Sequence, residues 1–230
     1  MTRPVAVLRP EPGNARTRAR LAEAGLAAIA MPLFEVVALD WTAPDPAGFD
    51  ALLLTSANAV RHAGPQLAHL VSLPVFAVGA ATADAARAAG FRVALQGREN
   101  AAALVAEVAG LGVRRALHLA GRDRSIEAVG PVAQVIAVYA SDPIPLSGEA
   151  AAALDGAVAL VHSARAGRRL ADILGPARAR TALAAISEAA LAAAGADWEA
   201  AEVAATPDDR ALIAVARRLT GGTHAGIRAP

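Results

Sequence analysis

The stretch Pro32-Leu33-Phe34-Glu35-Val36-Val37-Ala38-Leu39 decides how this chain is read. It follows a short apolar strand, Ala28–Met31, at the place where a helix is due. It is nevertheless extended in character, and it opens on a proline, which discourages helix. It leads into a loop rich in Pro and Asp, from Asp40 to Asp50. A second such stretch, Val138-Tyr139-Ala140-Ser141-Asp142-Pro143-Ile144-Pro145, also stands where a helix should be. Taken as two adjacent hinge strands, about 32–39 and 138–145, they divide the chain. One lobe is discontinuous, residues 1–36 plus 143–230, and the other is an insert, residues 40–138.

Outward from these stretches, short β-branched or leucine-rich runs alternate with alanine-rich helical ones. The strands expected are Val5–Leu8, Ala28–Met31, Ala51–Thr55, Val75–Val78, Arg92–Leu95, Ala116–Leu119, Val135–Val138, Val158–Val161, Leu183–Ile186 and Ala201–Val203. The helices expected lie near Asn14–Ala24, Ala57–Leu70, Thr82–Ala89, Ala101–Ala109, Glu149–Leu154, Arg165–Leu174, Ala189–Ala194 and Asp208–Leu219. Strand–helix alternation predicts parallel sheets with right-handed crossovers. Continuous apolar strands predict sheets covered on both faces. The fold class expected is α/β, with two similar Rossmann-like or flavodoxin-like lobes joined by a two-strand hinge.

An internal echo points the same way. Leu52-Leu53-Leu54-Thr55-Ser56-Ala57 is a strand ending on Ser before a helix, and the next strand ends Ala77-Val78-Gly79. Ala159-Leu160-Val161-His162-Ser163-Ala164 repeats the first pattern, and Ala185-Ile186-Ser187 the second. A repeat of this length is a supersecondary unit, and here it suggests duplication of a lobe.

Composition removes whole classes of chemistry. Cysteine is absent, which excludes thiol nucleophiles, disulfides and most structural zinc sites. All 22 basic residues are Arg, so no Schiff-base lysine and no P-loop lysine exist. A net charge of +1 gives no electrostatic case for nucleic acid or an anionic membrane. Two Trp, one Tyr and four Phe are too few for a base-stacking platform. The most apolar stretch, Leu26 to Leu39, is broken by Pro32 and Glu35, so no membrane span is expected. With no signal-peptide pattern at Met1-Thr2-Arg3-Pro4, a soluble, cytoplasmic monomer is expected.

Each repeated unit places a small polar or glycyl residue at a strand end before a helix, where backbone N–H groups are free and the helix dipole favours anions. Ser56, Gly79 and Thr82 are expected to face a cleft from one lobe, and Ser163 and Ser187 from the other. Each serine is equally a plain N-cap, and the two roles are compatible. Arg9, and Arg122 and Arg124 after Gly121, also follow strands and are candidates for carboxylates. The five His lack metal-ligand spacing, and His162 reads as structural.

Several of these segments carry a resemblance. Thr55-Ser56-Ala57-Asn58-Ala59-Val60, Ala77-Val78-Gly79-Ala80-Ala81-Thr82-Ala83 and Val138-Tyr139 resemble signature pieces of the uroporphyrinogen-III synthase family. So does the opening Leu8-Arg9-Pro10-Glu11-Pro12, with Gly25 ending the first helix and Pro32 opening the hinge. The resemblance runs along nearly the whole chain. It implies cyclisation of hydroxymethylbilane, a linear tetrapyrrole, with inversion of ring D, and it implies neither metal nor organic cofactor. It also implies that Tyr139 polarises or protonates the leaving hydroxyl. The substrate-binding set expected is Arg9, Ser56, Asn58, Gly79, Thr82, Gly121, Arg122, Arg124, Ser163 and Ser187. The chain departs from the family at Ala189 and Ala190, where Thr or Ser is common, leaving that helix start only its backbone and Ser187. The alternative is a non-enzymatic two-lobed sensor of a small anionic ligand, which would use the hinge for closure alone.

Overall fold

A computed structural model describes residues 3–97, 100–123 and 127–221. The chain runs β1 (Val5–Val7), α1 (Gly13–Glu23), β2 (Ala28–Ala30), β3 (Phe34–Ala38), β4 (Ala51–Leu54), α2 (Ala57–His62), β5 (Val75–Val78) and α3 (Ala80–Ala88). It continues through β6 (Val93–Gly97), α4 (Ala101–Gly110), β7 (Ala116–Gly121), β8 (Val132–Pro143), α5 (Gly148–Ala152) and β9 (Val158–Val161). It ends with α6 (Ala164–Leu174), β10 (Ala182–Ala185), α7 (Glu188–Ala194), β11 (Ala200–Val203) and α8 (Asp209–Gly221). Among the described residues no helix is long and apolar enough to cross a membrane.

The chain divides into two compact units, one up to Glu35 and again from Pro143, the other Val36–Asp142. The first holds a five-stranded sheet in the order β11-β10-β9-β1-β2, with every neighbouring pair parallel. Its three central strands, β10, β9 and β1, are buried on both faces. Ala6, Leu8, Ala159 and Val161 pack with Leu170 of α6 and Ala190 of α7 on one face. Val5, Val7, Val158 and Leu160 pack with Leu21 of α1 and Leu212 of α8 on the other. This double cover is why the strands read as unbroken apolar runs rather than as alternation. Close packing of α6 on α7 depends on Gly167, where a Cβ would lie 2.7 Å from the Ala190 carbonyl oxygen.

The second unit holds a six-stranded sheet, β3-β8-β7-β4-β5-β6. Leu52 and Leu54 face α2 and α3 through Ala59, Ala83 and Ala86. Ala51 and Leu53 face Leu104 and Val108 of α4. At its edge β3 and β8 are neighbours. The Leu39 N–H bonds the Val138 carbonyl at 3.0 Å, and the Ile144 N–H bonds the Leu33 carbonyl at 3.0 Å, an antiparallel register.

Two elements differ from the sequence expectation. The strand Val135–Val138 and the extended stretch after it are one 12-residue strand, β8. Register shifts at Ala116/Leu117 and Ala120/Gly121 let β7 follow it, and Pro143, which lacks an N–H to donate, ends it. The helix expected over Ala57–Leu70 stops at His62. Gly64 takes φ of 64° and Pro65 follows, so the chain continues as a 3-10 turn over Gly64–Leu70.

Candidate functional site

In open α/β sheets, ligands bind beyond the C-terminal strand ends where the direction of strand succession reverses. In the first unit the chain steps from β1 outward to β2, but from β9 the other way to β10 and β11, so the reversal lies between β1 and β9. The residues just past those strands are Leu8 and Arg9, and His162 and Ser163. In the second unit β4 steps outward to β5 and β6 while β7 steps to β8, so the reversal lies between β4 and β7. There the strand ends lead to Thr55 and Ser56, and to Gly121 and Arg122. Arg9, Ser56, Gly121, Arg122 and Ser163 therefore stand at one of these two positions, whereas Gly79 and Ser187 follow β5 and β10, away from the reversals.

Tyr139 lies on β8 opposite Gly121 of β7, and the Arg122 N–H bonds the Tyr139 carbonyl at 2.8 Å. Its ring covers the Gly121 backbone. A Cβ at Gly121 would sit 2.8 Å from Tyr139 Cζ and 3.0 Å from its hydroxyl, so glycine is what lets the ring lie there. The His62 ring stands nearby, 6.4 Å between centroids at 38°. Burial, and then the positive charge of Arg61, lower the His62 pKa. On β7, the buried His118 meets Thr55 Oγ1 through Nε2 at 3.1 Å.

The serines are caps. Ser56 Oγ accepts from the Asn58 N–H at 3.2 Å, Ser163 Oγ from the Ala166 N–H at 3.2 Å, and Ser187 Oγ from the Ala190 N–H at 3.3 Å. The last of these occupies the Ala190 N–H, so that helix start keeps fewer free donors. With six and seven residues, α2 and α7 also sum fewer peptide dipoles than α6 with eleven. Gly79 adopts φ of 74° immediately before α3, a conformation that favours glycine and frees its strand end of any side chain. Ser163→Ala is expected to cost about 1 kcal/mol of stability, the usual worth of a cap. Urea unfolding of the variant against the parent measures it.

Other candidates are engaged within their own units. Thr82 is buried in α3. Asn58 Oδ1 accepts from Arg61 at 3.2 Å. Arg122 forms an ion pair with Asp142. Arg124 lies outside the described residues. No group of three or more His, Asp or Glu able to hold a metal occurs among the described residues.

The feature absent from the sequence reading is a buried acid. Asp209, in the first turn of α8 and only 6% exposed at its side chain, accepts four hydrogen bonds. Oδ1 takes Arg9 Nη1 and His162 Nε2, both at 3.1 Å. Oδ2 takes Thr17 Oγ1 at 2.8 Å and Arg20 Nη1 at 2.9 Å. An ionised carboxylate can only accept, so His162 Nε2 carries the proton, while its buried Nδ1 has no hydrogen-bond partner among the described residues. Burial alone would raise the Asp209 pKa. The hydrogen bonds from His162 and Thr17, with the nearby charges including Arg9, outweigh it and hold the carboxyl well below the usual range. Arg9, expected to meet a substrate carboxylate, is thus already paired with a carboxylate of the chain itself. The only local signal of this site was an acidic residue opening the last helix.

With this geometry in hand, similarity to known proteins is informative. The model of the uroporphyrinogen-III synthase HemD family matches residues 15–214. The uroporphyrinogen-III synthetase of Helicobacter pylori superposes with a TM-score of 0.65 at 18% identity, over 94% of this chain and 99% of that one. A mutant uroporphyrinogen III synthase of Thermus thermophilus superposes with a TM-score of 0.52 at 15% identity, over 94% and 98%. At such identities the superpositions bear on the fold. Among curated proteins none matches the chain.

Proposed function

The chain belongs to the uroporphyrinogen-III synthase family, and from that premise we propose that it closes hydroxymethylbilane to uroporphyrinogen III with inversion of ring D, using no metal and no organic cofactor. Loss of the hydroxymethyl oxygen leaves an azafulvene cation on ring A. The substituted carbon of ring D attacks it to give a spiro intermediate, and fragmentation and reclosure invert the ring. The free bilane also closes to the uninverted isomer, so the enzyme's task is to hold one folded conformation, which is catalysis by proximity and orientation. Tyr139 is assigned the donor role toward the departing hydroxyl, since a neutral phenol can donate at neutral pH.

The observation that carries this reading is the Tyr139 ring laid on Gly121 at the strand reversal of the second unit. Backbone N–H groups around Ser56, Gly79, Ser163 and Ser187, with Arg9 and Arg122, are the groups proposed to meet the substrate's acetates and propionates. The test supplies hydroxymethylbilane to the purified chain after exhaustive chelation. The expected product is uroporphyrinogen III, formed faster than spontaneous closure. Formation of the uninverted isomer alone, at the uncatalysed rate, overturns the reading. Activity lost on chelation and restored by a metal overturns the cofactor-free mechanism.

A further inference from the structure

We propose that Asp209 and Gly13 are positioning residues that hold the Arg9 guanidinium at the C-terminal end of β1, in the place where it receives a carboxylate of the substrate; the inference rests on the cyclase reading above. An arginine past a strand end has many rotamers open to it. Here its partner is not a mobile surface acid. The Asp209 carboxylate is itself fixed by Thr17 at 2.8 Å and Arg20 at 2.9 Å, both on α1, and by His162 at 3.1 Å, just past β9. The Arg9 backbone is held as well, because Asn14 Nδ2 donates to the Val7 and Arg9 carbonyls at 2.7 and 3.0 Å.

Gly13 supplies the other wall. A Cβ there would lie 2.4 Å from Arg9 Nε and 2.8 Å from Cζ. Gly13 opens α1 without the positive φ that would itself call for glycine, so what its missing side chain provides is the space the guanidinium fills. Charge leaves room for a ligand too. Two guanidinium groups, Arg9 and Arg20, share one carboxylate, and the Arg9 side chain stays 30% exposed. Arg9 is therefore aimed without being neutralised, at the strand reversal of the first unit, where α/β sheets take ligands.

The experiment compares the parent with Gly13→Ala, Asp209→Asn, Arg9→Ala and the double variant Gly13→Ala/Arg9→Ala. The readouts are KM and kcat for hydroxymethylbilane and the Arg9 Nε–H nuclear resonance, assigned by its loss in Arg9→Lys. Gly13→Ala keeps a helical residue and leaves the buried acid in place, so it tests the idea even if Asp209→Asn fails to fold. It is expected to raise KM about tenfold, in line with a weakened hydrogen bond to a charged group, with a much smaller change in kcat. The Arg9 resonance should shift and exchange faster, and the added methyl should have no further effect once Arg9 is Ala. A parent-like KM in Gly13→Ala, or an equal effect of Gly13→Ala with and without Arg9, overturns the positioning role while leaving the cyclase reading intact. A parent that forms only the uninverted isomer overturns both, and is told apart because no variant then has kinetic constants to compare.

Discussion

Replacing Tyr139 by Phe is expected to slow turnover by about 10²–10⁴-fold, the usual worth of a positioned proton donor, while leaving the fold unharmed. Phenylalanine keeps the ring that covers Gly121, and β8 pairs with β7 through backbone groups that the change does not touch. The hydroxyl alone is lost. Turnover should not vanish, because orientation of the bilane supplies part of the acceleration and the substrate can ionise unaided. The companion variant is Gly121→Ala, whose Cβ would come within 2.8 Å of the ring. It retains the hydroxyl but displaces it, so a loss there ties the rate to placement as well as chemistry. Single-turnover rates and isomer ratios, with spontaneous closure subtracted, measure both. A Phe variant within about twofold of the parent, far short of an acid catalyst's contribution, would reduce Tyr139 to a packing ring.

How much of this could be read from the sequence follows from the range of the interactions involved. Strands such as Leu52–Leu54 and Val158–Val161 were legible because burial on both faces makes an apolar run that local inspection detects. The stretch after Pro32 was legible because proline acts on its neighbours. Tyr139 stood out as the only tyrosine, in a segment that resembled the family. Strand order was not legible. The echo between Ser56–Gly79 and Ser163–Ser187 covers one strand–helix–strand step in each unit, whereas the likeness of the sheets runs further: β6-β5-β4-β7-β8 matches β11-β10-β9-β1-β2, with β3 added at the edge, but β1 and β2 come first in the chain while β7 and β8 come last. Nor was Asp209. Its partners Arg9, Thr17 and Arg20 lie 200, 192 and 189 residues away, and no periodicity links positions so distant. His162, set aside as structural, proves to be one of the four donors on that acid.

That buried acid sets the largest stability effect expected in the molecule. Asp209→Ala should cost about 3–5 kcal/mol, the range for removing one partner of a buried ion pair, because Arg9, Thr17 and His162 each lose their acceptor where little water can replace it. The exposed Arg20 contributes least, since its half-solvated guanidinium regains water. The same carboxyl gives the protein an acid limit of definite sign. Its folded pKa lies below the value of about 3.9 for an unfolded aspartate. The folded state therefore binds fewer protons than the unfolded state in acid, so the stabilisation is complete above the unfolded pKa and drains away as pH falls through the folded one. Between those limits this single group contributes a slope of up to about 1.4 kcal/mol per pH unit. Urea midpoints of parent and Asp209→Ala, taken from pH 7 down to pH 3, separate this from general acid repulsion. The gap between the two proteins should be constant from neutral pH down to the unfolded pKa of about 3.9 and should narrow by about 1 kcal/mol by pH 3. A gap that is constant across the range would mean that Asp209 stabilises by packing alone, and that its charge is not what fixes Arg9 and His162.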